Sequence, residues 1–360
     1  EYGELLMKNK RGSIVAIEPS TGEILCIVTN PNYDPNLLVG RVRGKNYGKL
    51  SADTLKPLFN RALMARYPPG STFKLIQGLI GLQEEVIDPN TRFSCNGGYY
   101  YAGRRLGCHA HSSPVDLKFS IQTSCNAYYC NVFKRILDKY PTSEEGYQVW
   151  REHLAKFGLG SRLHVDMTSE IDGFVPKTTY YDKFYGQHRW NGHTIISLAI
   201  GQGELGVTPI QMANFSAILA NRGWYYTPHV IKEIDGRPIT DSTYTEKHFT
   251  DIDAEHFEQV VEGMFRVVES GTGRGVRFSK DIEVCGKTGT AQNPHGKDHS
   301  IFIAFAPKDD PKIAVAVYVE NVGYGSTWAA PINSLIMEKY LTDTITRPWV
   351  EQRMLEGNLL

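Results

Sequence analysis

The chain of 360 residues is 41% hydrophobic and 22% charged, which is typical of a globular protein with a substantial core and excludes an intrinsically disordered one. Lysine and arginine together number 39, as do aspartate and glutamate, so the formal net charge is zero and no basic field favours a nucleic-acid partner. No stretch approaches the roughly 20 apolar residues of a membrane span, and residues 1–6 lack the charged and apolar regions of a signal peptide. Because the chain starts abruptly near a predicted strand, we expect an anchor or export signal to be missing upstream of it.

Short apolar runs at both ends of the chain predict a sheet. Residues 13–17 and 23–28 flank the turn-forming sequence Pro-Ser-Thr-Gly and are expected to form a hairpin. From 73 to 82 the apolar residues recur near a period of 3.6 after a Pro-Pro-Gly breaker, which predicts a buried helix whose first turn holds Ser71. Further helices are predicted at 117–137, 145–157, 209–220, 256–268 and 331–340, and further strands at 282–286, 300–306 and 312–319.

The order of these elements predicts the fold class. Strands from both chain ends flank a helical middle, so we expect an α/β protein whose sheet is completed by segments distant in the sequence. The expected organisation is one domain over 1–360, with a sheet formed by about 12–30 and 280–345 and a helical subdomain at about 75–275.

Ser71 and Lys74 are the first residues whose types and spacing indicate chemistry. Three positions apart on a helix, their side chains face the same side and can touch. Serine is a poor nucleophile until an adjacent base takes its proton, and a lysine serves as that base when burial or a second cation lowers its pKa. A place in the first helical turn also offers the backbone N–H of Ser71 to an oxyanion. Judged alone, the tetrapeptide equally describes a capping serine beside a solvated lysine.

Lys287-Thr288-Gly289-Thr290 follows the predicted strand at 282–286. On a strand the lysine and the glycine share one face and the two threonines share the other. Glycine lets a ligand backbone lie close along the strand, while the lysine and the hydroxyl groups can bind a carboxylate. By itself this motif also describes the polar end of a strand.

Two Ser-Cys-Asn triplets could each supply a second hydroxyl and an amide to the site. Ser94-Cys95-Asn96 continues into Gly-Gly and has the composition of a turn, whereas Ser124-Cys125-Asn126 lies in a helical context that holds side chains rigidly. We therefore assign Ser124 and Asn126 to the site.

The three elements follow one another in the order S-x-x-K, S-x-N and K-T-G that is found in penicillin-binding proteins and serine β-lactamases, and their joint occurrence outweighs the separate chance interpretations. The chain resembles the class B penicillin-binding proteins, and among them the elongation-specific penicillin-binding protein 2 group. The resemblance covers nearly the whole chain and includes Tyr-Pro-Pro-Gly before Ser71, Ile-Gly-Gln-Gly at 200–203 and Phe-Ala-Pro at 305–307. It implies the DD-peptidase fold shared with serine β-lactamases, an antiparallel sheet flanked by helices plus an all-helical subdomain.

The resemblance also implies a reaction that needs no cofactor. Ser71 would attack the D-Ala-D-Ala carbonyl of a peptidoglycan stem peptide and Lys74 would accept its proton, while Ser124 and Asn126 would relay protons and hold the substrate. An amine of a neighbouring stem would then take the acyl group, and β-lactams, which mimic the dipeptide, would trap Ser71. The residues expected to bind substrate are Lys287, Thr288, Gly289 and Thr290, with the backbone N–H groups of Ser71 and Thr290 as the oxyanion hole.

Four of the donor residues suit a metal ion. Cys95, Cys108, His111 and Cys125 offer thiolates and an imidazole, the ligands that zinc prefers, with His109 as an alternative donor. Their spacing is not that of a zinc finger, so composition alone leaves a Cys95–Cys108 disulfide or buried free thiols open. Members similar to penicillin-binding protein 2 often carry a cysteine pair, a later histidine and a cysteine within the S-x-N triplet, so the resemblance implies a structural zinc ion.

Other functions were weighed against the transpeptidase. Residues 201–206 follow a strand-like apolar run at 195–200 and fit the G-x-G-x-x-G fingerprint of dinucleotide sites. Pro209 interrupts this pattern and no acidic residue lies about 20 positions on, so we expect a packed turn there. A serine β-lactamase is one alternative, which chain length, the Ser124 triplet and the segments before Ser71 disfavour. A non-catalytic β-lactam sensor that keeps the fold is the other alternative and stays open. The resemblance further implies a periplasmic domain of an inner-membrane protein, without its anchor and pedestal, that works with a RodA-type glycosyltransferase and MreC.

Overall fold

The computed structural model describes residues 1–360. The strands are β1 (Gly12–Ile17), β2 (Ile24–Asn30), β3 (Gly98–Tyr101), β4 (Arg104–Gly107), β5 (Trp224–Tyr225), β6 (Glu233–Ile234), β7 (Arg237–Pro238), β8 (His248–Phe249), β9 (Cys285–Ala291), β10 (His299–Ala306) and β11 (Ile313–Val319). The helices are α1 (Tyr2–Met7), α2 (Arg43–Ala52), α3 (Arg61–Met64), α4 (Lys74–Gln83), α5 (Leu117–Thr123), α6 (Asn126–Asp138), α7 (Ser143–Lys156), α8 (Thr178–Tyr185), α9 (Pro209–Ala220), α10 (Ser242–Thr245), α11 (Ala254–Ser270), α12 (Ala329–Thr342) and α13 (Pro348–Glu356). Single 3-10 helices cover Pro35–Leu38, Gly70–Phe73 and Ile196–Ile200.

Five strands form the central antiparallel sheet in the order β2-β1-β11-β10-β9. Strand β1, from the start of the chain, pairs with β11, from near its end, so that Gly12 lies opposite Val319. Strand β9 pairs with β10 alone and forms one edge of the sheet. That edge carries the Lys-Thr-Gly motif and remains available to the helical half of the protein.

The alternation of side chains along the strands divides the interior into two buried clusters. Val315 and Val317 of β11 point into a cluster of 22 residues beneath α12, while Ala314 and Ala316 point into the larger cluster of 65 residues that includes helix α9. Because alanine is small, α9 can lie close to the sheet on that side. All residues of β1 and β11 are buried, as expected for central strands covered on both faces.

The antiparallel sheet flanked by helices confirms the predicted fold class, and three local expectations change. The helix predicted at 117–137 is divided into α5 and α6 at Ser124. The strand predicted at 282–286 starts at Cys285 and contains the Lys-Thr-Gly motif itself. Residues 196–200, which precede the Gly-rich turn, form a 3-10 helix and not a strand. Helices α4 to α11 lie in sequence between β2 and β9, and the boundary of a helical subdomain near 75–275 stays a prediction. None of the helices is both long and apolar enough to span a bilayer.

Candidate active site

Ser71 lies on a turn that only glycine permits. Gly70 has a φ of +57°, in the left-handed region, and a Cβ at this position would lie 2.6 Å from the main-chain oxygen of Thr290 on β9. The N–H of Gly70 donates to the carbonyl oxygen of Gly201 at 2.8 Å, and a Cβ on Gly201 would lie 2.3 Å from the carbonyl oxygen of Gly70. Two glycines therefore let the turn carrying Ser71 approach the edge strand at backbone distance.

Lys74 begins α4 and is fully buried. Its Nζ donates to the carbonyl oxygen and the Oγ of Ser124, at 2.7 and 3.1 Å, and to Oδ1 of Asn126 at 2.5 Å. Burial lowers the pKa of Lys74 to about 8, and none of these hydrogen-bond partners carries a charge that would offset the cost of burying an ammonium group. No hydrogen bond joins Lys74 to Ser71, which lines the open cleft beside it; such bonds often form only when substrate is present.

Ser124 occupies the break between α5 and α6. Its φ of +57° is in the left-handed region, which is strained for a serine. The reversal ends α5, while Cys125 becomes the buried residue immediately before α6. Both the carbonyl oxygen and the hydroxyl of Ser124 thereby reach Lys74, which an uninterrupted helix would not allow because its carbonyl would be bonded within the helix.

Lys287 approaches Ser124 from the opposite side. Its Nζ, fully buried on β9, donates to Ser124 Oγ at 3.0 Å and to the carbonyl oxygen of Thr288 at 3.1 Å. Burial, and then the charge of Lys74, lower the pKa of Lys287 well below its usual value. Two ammonium groups facing one hydroxyl repel each other, so the favoured state has one neutral amine that accepts the Ser124 proton and one ammonium that donates to its oxygen. The arrangement is a proton relay with Ser124 at its centre.

The free edge of β9 faces the nucleophile. Gln202 holds this edge: its Nε2 donates to the carbonyl oxygen of Thr290 at 2.9 Å, and its Oε1 accepts from the N–H of Gln292 at 3.3 Å. Since the C=O and N–H of one strand residue point to the same side, the N–H of Thr290 also faces away from β10 and toward the turn of Ser71. This is the position that a backbone donor in an oxyanion hole requires.

A loop after α11 adds groups that the sequence reasoning missed. Thr272 Oγ1 lies 2.7 Å from Thr288 Oγ1, which brings another hydroxyl to the predicted carboxylate site. Arg274 and Tyr324 line the same cleft, whose volume is about 610 Å³. The Gly-Thr-Gly-Arg-Gly run directly after a predicted helix was a usable signal for Thr272 and Arg274, whereas no local pattern marked Tyr324.

The four residues predicted to hold zinc come together beside this cleft. The ligand atoms of Cys95, Cys108, His111 and Cys125 all lie within 4.8 Å of one another. The Sγ atoms of Cys108 and Cys125 are 4.0 Å apart, close to the roughly 3.8 Å edge of a tetrahedron with zinc–sulfur bonds of about 2.3 Å. All six cysteines are free thiols in the structure, so Cys95 and Cys108 are not joined to each other.

The two histidines of this segment occupy different places. His111 donates from Nδ1 to the carbonyl oxygen of Ser112 at 2.8 Å, and its buried Nε2 has no hydrogen-bond partner. That tautomer leaves the Nε2 lone pair directed into the protein, as in histidines that ligate metals. His109 lines the catalytic cleft instead. The donor set and the orphaned nitrogen therefore fit a closed zinc site with His111 as its fourth ligand.

The zinc-ligand cluster is tied directly to the catalytic triplet. Cys125 is the middle residue of the triplet, and the backbone N–H of Ala127 donates to Cys108 Sγ at 3.3 Å. Asn126 donates from Nδ2 to the carbonyl oxygen of Gly107 at 2.6 Å, at the end of β4. The hairpin β3–β4 and the Ser124 break are thus held by the same few residues.

Comparison with known proteins places this site in a family. Residues 12–338 match the family described as the penicillin binding protein transpeptidase domain. The chain belongs to this family. The peptidoglycan D,D-transpeptidase MrdA of Acinetobacter baumannii is 34% identical over 346 residues, which are 90% of this chain and 50% of that protein. The chain therefore spans about half the length of the curated relatives that it matches.

Solved structures agree with the family assignment. The crystal structure of Pseudomonas aeruginosa PBP2 in complex with WCK 5153 is 35% identical with a TM-score of 0.84, over 95% of this chain and 74% of that one. The complex of Helicobacter pylori PBP2 and MreC contains a chain 27% identical with a TM-score of 0.80, over 94% of this chain and 62% of that one. The predicted resemblance to the penicillin-binding protein 2 group is confirmed.

Proposed function

We propose that this chain is a peptidoglycan D,D-transpeptidase domain that cross-links stem peptides through an acyl-enzyme on Ser71 during cell elongation. The observation that carries the proposal is the hydroxyl of Ser124 held between two buried lysines, Lys74 and Lys287, next to the turn that presents Ser71. Both amines are buried without an acidic partner, and both contact the same hydroxyl, a group that can give and take a proton beside an open cleft.

The geometry supports a defined acylation step. Ser71 Oγ attacks the carbonyl carbon of the penultimate D-alanine as Lys74, in its neutral form, takes the hydroxyl proton. Negative charge forms on the carbonyl oxygen, which the backbone N–H groups of Ser71 and Thr290 stabilise. The carbon–nitrogen bond then breaks, and the proton passes from Lys74 by way of Ser124 to the departing amine, so D-alanine leaves and an ester remains.

Substrate is held from two sides of the cleft. The terminal carboxylate meets the hydroxyl groups of Thr288, Thr290 and Thr272, and the positive charge of the Lys287 region. Asn126, whose Oδ1 accepts from Lys74, contributes its amide from the opposite wall. Gly289 lines the same cleft, and a Cβ there would lie 3.0 Å from Thr72 Cγ2, so this glycine lets the turn that carries Ser71 pack against β9.

Intact-mass spectrometry with penicillin tests the proposal. We expect the parent chain to gain the mass of one penicillin and Ser71→Ala to gain none. Ser124→Ala should slow acylation by about 10²-fold because the proton relay is lost, whereas Ser94→Ala, in the competing Ser-Cys-Asn triplet, should acylate at the parent rate.

The same samples separate the alternatives. Loss of the adduct over many hours fits a transpeptidase, and rapid turnover would identify a β-lactamase. A sensor would acylate without joining stem peptides, so failure to cross-link nascent glycan in reconstitution with a glycan polymerase would favour that alternative.

We propose that Cys95, Cys108, His111 and Cys125 hold one structural zinc ion. When bound, the ion supplies no chemistry to the reaction and fixes the Ser124 break by way of Cys125. Elemental analysis should find one zinc per chain in the parent and none in Cys108→Ser, with a lower unfolding midpoint, while the control Cys26→Ser keeps its zinc. Zinc-free parent protein with full penicillin acylation would contradict this site.

We also propose that the chain acts on the periplasmic side of a bacterial inner membrane, with a RodA-type glycosyltransferase and MreC as partners. The support is the family assignment and the Helicobacter pylori relative, which was solved with MreC. Binding of purified MreC to this chain by calorimetry would test the second partner, and absence of binding at high micromolar concentration would count against it for this part of the protein.

A further inference from the structure

The catalytic cleft continues past the residues that perform acylation. A second cavity of about 300 Å³ shares Gly275 and Ser326 with the cleft, so the two adjoin along the loop that follows α11. The far side of this extension is formed by Trp349 and Arg353 of helix α13. None of these residues has a part in the acylation step.

The cleft and its extension contain no acidic side chain, although the whole chain is neutral. Arg274 lies in the cleft and Arg353 in the extension, and neither side chain makes a salt bridge or hydrogen bond within the protein. Both guanidinium groups are therefore free to bind carboxylates of a ligand that lies along this groove.

Exposed aromatic side chains accompany these cations. Trp349 is 67% exposed, the largest fraction among the large hydrophobic residues, and Tyr324, in the cleft, is 64% exposed. Trp349 and Arg353 are four positions apart on α13 and lie on the same side of the helix. A tryptophan and a guanidinium side by side in an open groove are typical of a surface that binds a peptide or another polar ligand.

The chemistry of acyl transfer says which ligand belongs there. The amine that enters must approach the carbonyl along the path by which the leaving amine departs, because both half-reactions pass through equivalent tetrahedral species. The leaving D-alanine carries its carboxylate next to Thr272 and Thr288, at the end of the cleft that opens into the extension. The acceptor must therefore occupy that end and, being larger than alanine, continue beyond it.

We propose that the groove running from Thr272 to α13 binds the acceptor stem peptide, an inference that rests on the proposed transpeptidase function. A carboxylate of the acceptor close to its attacking amine takes the place of the D-alanine carboxylate and meets Thr272 and Arg274. The remainder of the stem lies along Trp349, with a further carboxylate on Arg353. These residues select the acceptor and take no part in proton transfer.

The transfer step balances without any further reactant. The acceptor nitrogen bonds to the ester carbonyl carbon while the bond from that carbon to Ser71 Oγ breaks. One proton of the amine passes by way of Lys74 to Ser71 Oγ, so the serine is restored as a hydroxyl and the product is an amide.

Partition of an acyl-enzyme between two acceptors tests the groove. The donor is a depsipeptide ending in D-lactate, and the acceptors are D-alanine, which reaches only Arg274, and a stem tripeptide with a free amine and two carboxylates. Arg353→Glu and Trp349→Ala should each raise the KM for the tripeptide by about tenfold with unchanged kcat and an unchanged KM for D-alanine. Arg274→Gln should raise the KM for both acceptors, and Arg353→Lys should recover part of the loss.

The matched control is Arg237→Glu, an exposed and unpaired arginine in the β6–β7 hairpin, which should behave as the parent does. Equal KM values for the tripeptide in the parent, Arg353→Glu and Trp349→Ala would contradict the proposed groove. An equal rise in the KM for D-alanine in these two variants would also contradict it. Penicillin acylation of each variant distinguishes failure of the groove from failure of the proposed function. Normal acylation with an unaltered acceptor KM contradicts the groove alone. A parent chain that binds no penicillin contradicts the proposed function itself.

Discussion

Two buried lysines with different partners show what separates a structural amine from a catalytic one. Lys10 and Lys74 are both fully inaccessible, neither contacts a carboxylate, and burial lowers the pKa of each to about 8. Lys10 donates only to main-chain carbonyl oxygens, among them those of Met354 and Gly357, which can accept a hydrogen bond but never give a proton. Lys74 meets the hydroxyl of Ser124, which can do both.

The comparison shows that a lowered pKa does not by itself identify a catalytic lysine. At Lys10 every neighbour favours the ammonium form, so the charge serves to tie the start of β1 to the end of α13. At Lys74 the neighbour can supply or remove a proton, so the same loss of basicity becomes useful. The chemistry of the partner group, and its route to an open cleft, decides between the two roles.

The largest expected effect comes from removing each amine in turn. Lys74→Met should lower the second-order rate of penicillin acylation by about 10³-fold, because it removes the proposed base for Ser71 and leaves Lys287 as the only amine on Ser124. Lys10→Met should change that rate by less than twofold for folded protein, although it too deletes a buried lysine with the same pKa. Stopped-flow mixing with a fluorescent penicillin measures both rates. Comparable losses of rate in the two variants would contradict the assignment of Lys74 as catalytic and Lys10 as structural.

A second effect tests whether the cleft depends on the approach of the Ser71 turn to β9. Gly70→Ala should slow acylation by about 10²-fold, because its Cβ would lie 2.6 Å from the Thr290 oxygen and would displace the turn. Gly236→Ala is the matched control: its φ of +72° is similarly left-handed, but nothing lies within 4 Å of the added atom. Equal acylation rates in the two variants would mean that the close approach of Gly70 to β9 does not position Ser71.

The third expected effect is the pH dependence of the acylation rate, whose sign follows from the pKa of Lys74. Lys74 acts as a base only when neutral, and burial lowers its pKa to about 8 from 10.5, so the rate should rise about tenfold per pH unit up to about 8 and level off above it. The measurement is the acylation rate between roughly pH 6 and 9. Lys10→Met should keep this profile, and a profile that falls with rising pH would exclude Lys74 as the base.

The smallest effect concerns stability alone. Lys10→Met leaves the carbonyl oxygens of Met354 and Gly357 without their buried donor, which should lower the free energy of unfolding by about 1–3 kcal/mol. Urea denaturation followed by tryptophan fluorescence would measure the change. A variant as stable as the parent would show that the ammonium contributes nothing net at this position.

Much of the fold and the order of the site residues could be predicted, because each rests on a local pattern. The strands that became β1, β2, β10 and β11 are unbroken apolar runs, and Ser71, Lys74 and Lys287 lie in short motifs whose chemistry can be read without a structure. The short and polar helices α1, α2 and α13 were not predicted, since their apolar residues are too few to establish a period.

The rest depends on contacts that no local pattern records. The apolar periodicity at 117–137 continues across Ser124, so the left-handed break was hidden although it aims the hydroxyl at Lys74. Thr272 belongs to the site because it contacts Thr288, which lies on a different element. Trp349 lines the second cavity together with a loop more than 70 positions earlier in the chain. Such residues are found only when the chain is folded.

The pairing of β1 with β11 has a consequence for how the protein is made. The two strands that meet at the centre of the sheet are separated by nearly the entire chain, with Gly12 opposite Val319. During synthesis the hairpin of β1 and β2 forms first, and the N–H and C=O groups on the other edge of β1 have no partner until residues some 300 positions later have been synthesised. An exposed edge invites pairing with the wrong chain, so we expect nascent copies to depend on being kept apart until translation is almost complete.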